Sequence, residues 1–124
     1  MGTTRRLKEH RRPIKCIAVQ PNDALHGLEG LKHLDTAIVP GIYDPTIPDR
    51  TEFVATEQAD DMVRRLARET GLFVGWSTGA ALAAAERVST ALDRRGPPAT
   101  IVVIAPDSGL RYLSERRRLA GEAA

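Results

Sequence analysis

The chain has 124 residues, 42% of them hydrophobic and 27% charged, with a formal net charge of +2. That is enough chain for one domain with a real but small core, so the stability margin is expected to be thin. A near balance of 18 basic and 16 acidic residues excludes a nucleic-acid arm, 4% aromatics exclude a base-stacking platform, and no apolar run reaches the length of a membrane span.

The basic stretch Met1–Pro13 lacks the apolar centre of a secretory signal. Thr3 or Thr4 can cap a short helix over Arg5–His10, which Pro13 ends. Ile14–Val19 is an apolar, β-branched run closing at Gln20-Pro21 and reads as a buried strand. Cys16 lies within it and is expected as a small buried hydrophobe, not a nucleophile. As the only cysteine it rules out an internal disulfide and suits a reducing, cytoplasmic setting. Pro21-Asn22-Asp23 reads as a turn.

Ala24–Asp35 is ambiguous. Leu25, Leu28, Leu31 and Leu34 recur every three residues as in a tight helix, while Gly27 and Gly30 argue against one. Ile38 to Arg50 carries Pro40, Gly41, Pro45 and Pro48 and must be an irregular loop. Thr51–Ala55 is a short strand. Thr56 is then the expected cap of a helix whose first turns hold Glu57, Asp60 and Asp61, the sign that suits a helix N-terminus. Ala59, Met62, Val63, Leu66 and Ala67 keep helical spacing, and Gly71 stops the helix.

Leu72–Trp76 is a short apolar strand running into Ser77-Thr78-Gly79, and Ala80–Leu92 is strongly helical. Arg94 to Pro98 makes a loop, Thr100–Ala105 another buried strand and Pro106–Gly109 a turn, before a short helix and a basic tail. Apolar strands alternating with helices predict an α/β fold, with a mostly parallel sheet covered on both faces in three αβα layers. Such sheets bind ligands at the carboxyl ends of their strands. That selects two loops, Trp76–Gly79 and Pro106–Gly109.

Ser77 sits where a strand meets an alanine-rich helix. Its hydroxyl can donate and accept, and the first helical amides lack intrahelical partners, so the junction suits a planar ligand or an anion. The alternative is a serine cap on an ordinary helix. Asp107 and Ser108 offer a carboxylate and a hydroxyl, or a plain turn. His10, His26 and His33 have no metal-ligand spacing to Cys, Asp or Glu and read as solvated surface residues. The clusters Arg5, Arg6, Arg11, Arg12 and Arg116, Arg117, Arg118 read as solvated faces.

Five segments in order carry a resemblance: Met1–Lys8 (MGTTRRLK), Ile17–Pro21 (IAVQP), Ala37–Asp44 (AIVPGIYD), Gly71–Ala85 (GLFVGWSTGAALAAA) and Val102–Leu113 (VVIAPDSGLRYL). Together they resemble the C-terminal part of the cysteine synthase and cystathionine β-synthase family, pyridoxal-phosphate enzymes of fold type II. The resemblance implies one incomplete domain over residues 1–124, part of a large domain like that of tryptophan synthase β. It implies pyridoxal 5'-phosphate as cofactor and an amino-acid substrate, an activated serine such as O-acetylserine attacked by a sulfur nucleophile. It places Ser77 on the cofactor's ring nitrogen, Gly41 at the mouth of the site, and Asp107 and Ser108 along the ring edge. The family's Schiff-base lysine and phosphate loop have no match: Lys8, Lys15 and Lys32 lie in segments unlike the lysine motif. Met1 is accordingly expected to be an internal methionine of a longer protein. The expected partner is a missing N-terminal half or a second copy in a homodimer, with no nucleic acid and no membrane.

Overall fold

The computed structural model describes residues 1–92 and 96–114. The order of elements is α1 (Gly2–His10), β1 (Ile17–Pro21), β2 (Arg50–Val54), α2 (Thr56–Thr70), α3 (Trp76–Ala91) and a 3-10 turn over Gly109–Tyr112. Arg94 and Arg95 of the predicted loop, the end of the final helix and the Arg116–Arg118 cluster lie outside the described residues.

α1 begins at Gly2, so Thr3 and Thr4 lie inside it and cap nothing. It buries no residue. An ion pair holds it instead, with Lys8 Nζ 2.8 Å from Asp49 Oδ2, and Lys8 also donates to the Ile47 carbonyl at 3.2 Å. Asp49 grips the next segment as well. Its carboxylate accepts from the Cys16 amide at 2.9 Å, and its own amide donates to the Cys16 carbonyl at 2.8 Å. Cys16 is therefore half-buried and just outside β1, which starts three residues later than its apolar run.

β1 and β2 pair in parallel, Ile17 opposite Arg50 and Pro21 opposite Val54. Pro21 stands at the strand's last position, where a missing donor is tolerated. The α/β class and the parallel sheet match expectation, but the sheet has two strands. Leu72–Trp76 supplies only one bridge, Val74 to Ser108, and it is antiparallel. Thr100–Ala105 has no regular secondary structure, with Val102 79% and Ile104 72% exposed. An apolar run states what a strand buries, not whether a neighbour lies alongside, and no described strand does.

Ala55 alone links β2 to α2 and takes the cap position. Thr56 is the first helical residue, not the cap. Gln58 Oε1 accepts from the Ala55 amide at 3.2 Å, while Thr56 Oγ1 accepts from Gly27 at 3.0 Å and ties down the long connection. Gly71 ends α2 in the left-handed conformation, φ 75°. Between β1 and β2 no helix forms. Gly30 takes φ 86°, Leu28 is fully buried and Leu25 is exposed. His26 and His33 are half-buried, not merely solvated. His26 Nδ1 accepts from the Leu28 amide at 3.1 Å, and His33 Nδ1 meets Thr36 Oγ1 at 3.0 Å.

α3 starts four residues before the alanine-rich stretch, so Ser77, Thr78 and Gly79 form its first turn. Gly79, Ala80, Ala83 and Ala84 are buried. These small residues let α3 lie close against α2, where Ala59 and Val63 are fully buried. Leu28, Val54 and Trp76 complete the core.

Candidate cofactor site at the start of helix α3

The approach to α3 is built by two chain segments holding each other. The Gly75 amide donates to the Asp107 carbonyl at 3.2 Å, and the Gly109 amide donates to the Phe73 carbonyl at 3.1 Å. Gly75 is required here because a side chain would collide with the Asp107 carboxylate. Gly109 is required likewise: a Cβ would stand 2.7 Å from the Val74 carbonyl and 2.8 Å from the Phe73 ring. Of the two loops chosen from sequence, Pro106–Gly109 therefore lies against Phe73–Gly75, the run that leads into Trp76–Gly79.

Trp76 is 3% exposed and anchors the turn. Its Nε1 donates to Asp60 Oδ1 at 3.1 Å, and its ring stacks at 41° on Tyr112 with centroids 5.3 Å apart. The Tyr112 hydroxyl donates to Asp107 Oδ2. That bond, with burial and the carboxylate's charge, raises the Tyr112 pKa above the ordinary tyrosine value. Ser108 caps the 3-10 turn, its Oγ accepting from Leu110 at 3.3 Å.

Ser77 is half-buried in the first turn, and its hydroxyl is not a helix cap. Two buried side-chain oxygens of these segments, Thr78 Oγ1 and Asp107 Oδ1, have no hydrogen-bond partner among the described residues. Burying such an atom unsatisfied costs about 1–3 kcal/mol. Gly41 lies in an exposed turn closed by the Tyr43 amide on the Pro40 carbonyl at 2.9 Å, and a Cβ there would meet nothing. The structure thus sets Phe73–Trp76, the run before Ser77, against the 107–112 segment, while no hydrogen bond or ion pair among the described residues joins Ser77 or Gly41 to Asp107 or Ser108. Trp76 and Thr78 fall in a loop chosen from sequence but were given no role of their own, and Tyr112 was not singled out; an aromatic inside one candidate loop and another three residues past the other, in a chain with 4% aromatics, was the available signal.

An open depression of about 300 Å³ lies elsewhere, lined among others by His26, Glu29, Lys32 and His33, and it holds none of the predicted site residues. Among the described residues no group of three or more His, Cys, Asp or Glu is placed to hold a metal ion. No described helix is long and apolar enough to cross a membrane.

A family model described as pyridoxal-phosphate dependent enzyme matches residues 1–107. The chain belongs to that family. Within it, the chain is 47% identical over 114 residues to a cysteine synthase of Aquifex aeolicus, covering 92% of this chain and 35% of the relative. It is 38% identical to a cysteine synthase B of Pseudomonas aeruginosa, covering 92% and 36%. Among solved structures, a cysteine synthase of Entamoeba histolytica superposes with a TM-score of 0.80 at 31% identity, over 91% of this chain and 35% of the other. An O-acetylserine dependent cystathionine beta-synthase of Helicobacter pylori gives 0.77 at 32%, over 91% and 38%. The chain spans about a third of the length of the curated relatives it matches. It corresponds to the C-terminal part of the cysteine synthase family, whose complete enzymes use pyridoxal phosphate.

The junction fits the ring end of this cofactor. A half-buried serine hydroxyl stands in a first helical turn that also contains an orphaned buried oxygen. Among the described residues no lysine bonds to the junction, as the aldehyde end would need. Lys8 and Lys15 are both paired with Asp49, at 2.8 and 3.3 Å, and Lys32 borders the separate depression.

Proposed function

We propose that this chain supplies the ring-nitrogen side of the pyridoxal-phosphate site in a cysteine synthase-type enzyme. Such an enzyme replaces the leaving group of an activated serine, O-acetylserine or a similar compound, by a sulfur nucleophile. One observation supports the reading: the family's serine position, Ser77, lies in the first turn of α3, two residues after Gly75, whose amide bonds the Asp107 carbonyl, and Thr78 Oγ1 and Asp107 Oδ1 are buried without a partner among the described residues.

When bound, the cofactor supplies the electron sink for elimination and replacement. The Ser77 hydroxyl donates a hydrogen bond to the ring nitrogen and, being neutral, leaves that nitrogen unprotonated. Asp107 and Ser108 form the rim beside Ser77. Their side chains bond within the chain, to Tyr112 and Leu110. Gly41 enters on the family resemblance alone, as a small residue at the site's mouth. The lone chain, without a lysine beside Ser77, is expected to be inactive.

The test is co-expression with the remaining N-terminal length of a cysteine synthase, followed by cofactor loading. A cofactor absorbance that survives desalting, with turnover of O-acetylserine and sulfide, is expected from the pair and not from the lone chain. Ser77→Ala is expected to weaken cofactor retention by about tenfold, the value of one hydrogen bond to a buried polar group. Retention unchanged by Ser77→Ala overturns the assignment.

A second reading is a non-catalytic domain that assembles with a separately encoded N-terminal half or with a second copy. The exposed apolar run Thr100–Ala105 favours it, as apolar surface that needs cover. Stable co-purification without turnover distinguishes it from the first.

A further inference from the structure

The segment 107–112 touches the start of α3 at three independent points. The Asp107 carbonyl accepts from the Gly75 amide, the Asp107 carboxylate fills the space over Gly75, and the Tyr112 ring packs on Trp76. The Tyr112 hydroxyl closes the loop by donating to Asp107 Oδ2. Gly75 and Trp76 are the two residues before Ser77. One side chain thus holds the carboxylate that lies over one of them while stacking on the other.

We propose that Tyr112, acting through Asp107, is a positioning residue that clasps the first turn of α3 and so sets where the Ser77 hydroxyl stands. The function of the clasp rests on the Ser77 reading above. The clasp itself is testable without any cofactor, so failure of one is distinguishable from failure of the other.

The clasp has a chemical signature that passive packing lacks. A neutral Tyr112 hydroxyl donates to the Asp107 carboxylate, whereas a tyrosinate beside it is repelled. The pKa of Tyr112 is raised by that bond first, then by burial and by the carboxylate's charge. The contribution is therefore fully present below the unfolded tyrosine value, about 10, and is lost as pH climbs through the higher folded value. The charged groups around it are Asp107 and Arg111 on its own segment, Glu29 on the connection between β1 and β2, and Asp60 with Arg64 on α2, reached across Trp76.

Trp76 is the chain's only tryptophan, so its emission reports this contact without labelling. The full chain is compared with Tyr112→Phe, which keeps the ring and removes the hydroxyl, and with Asp107→Ala and Asp107→Asn. Trp76 emission of the parent is expected to change at alkaline pH while the far-ultraviolet dichroism holds, and the change is expected to vanish in Tyr112→Phe. Amide exchange at Thr78 and Gly79, which bond the Gly75 carbonyl on either side of the turn that carries Ser77, is expected to speed up by about tenfold in Asp107→Ala, the loss of one charge-assisted bond. Asp107→Asn, which keeps an acceptor for the hydroxyl, is expected to recover most of that protection. Emission with the same alkaline profile in parent and Tyr112→Phe overturns the clasp. So does exchange at Thr78 and Gly79 that is equal in the parent and in Asp107→Ala. Should Asp107→Ala prove unfolded, the Tyr112→Phe comparison decides alone.

Discussion

The carbonyl oxygen of Ala59 occupies the space in which a side chain on Gly79 would have to sit. The same space is crowded by Val63 Cγ2, 2.6 Å from the position of that absent Cβ. The backbones of α2 and α3 are therefore in direct contact behind the turn that carries Ser77. Gly79→Ala is expected to destabilise the chain by about 1–3 kcal/mol through overpacking. Urea unfolding should show a lower midpoint at an unchanged slope. An unchanged midpoint would mean that the helices part freely, and α3 would then be a poor platform for a positioned hydroxyl.

Thr78 lies on the same turn and is 3% exposed, with its hydroxyl unpartnered. Valine has nearly the same shape without the polar atom. Thr78→Val is expected to stabilise the lone chain by about 1 kcal/mol, because an unsatisfied oxygen is removed at no cost in packing. Thermal unfolding measures it. A loss of stability instead would show that the hydroxyl has a partner in solution.

Asp49 binds Lys8, Lys15 and the Cys16 amide through one carboxylate. Its pKa is held far below the usual aspartate value, first by the Cys16 amide, then by the Lys8 bond, against burial, with Lys15 assisting. A depressed folded pKa means stability that is complete above the unfolded value, about 3.9, and is lost as pH falls from there toward the folded one. The chain should lose stability below about pH 4, and Asp49→Asn should flatten that limb of the profile. Equal acid limbs in parent and variant would assign the effect to other carboxylates.

Val102 and Ile104 are the most exposed large hydrophobic residues of the run Thr100–Ala105, at 79% and 72%. Val102→Lys with Ile104→Lys is expected to raise the concentration at which the lone chain stays monomeric in light scattering, leaving far-ultraviolet dichroism unchanged. The same pair should abolish co-purification with an N-terminal half. If association with that half persists, this run is not the seam.

The sequence reading was strongest where the signal is local. Glycine at 71 and the spacing of Ala59, Met62, Val63, Leu66 and Ala67 marked α2 correctly, because caps and helical period are decided within a few residues. The family was legible in five ordered segments, as the match over residues 1–107 bears out. Strands were harder. Thr100–Ala105 has a strand's composition, yet pairing is a property of the neighbour. Ser77, Asp107 and Ser108 were legible as candidates, and the pairing of Phe73–Gly75 with Asp107–Gly109 was not, since it depends on Gly75 and Gly109 allowing two segments to touch. Tyr112 was invisible as a partner of Asp107, because a spacing of five in a turn implies no contact by itself.

The guanidinium of Arg87 donates to the Phe53 carbonyl at 2.6 Å and to Gln58 Oε1, and stands 3.7 Å from Glu52 Oε2. One residue of α3 thereby rivets β2 and the head of α2 to its own helix. The three elements should open to solvent together or not at all, as one foldon. Ser77 rides on that riveted unit, so its place is inherited from the shared opening of all three.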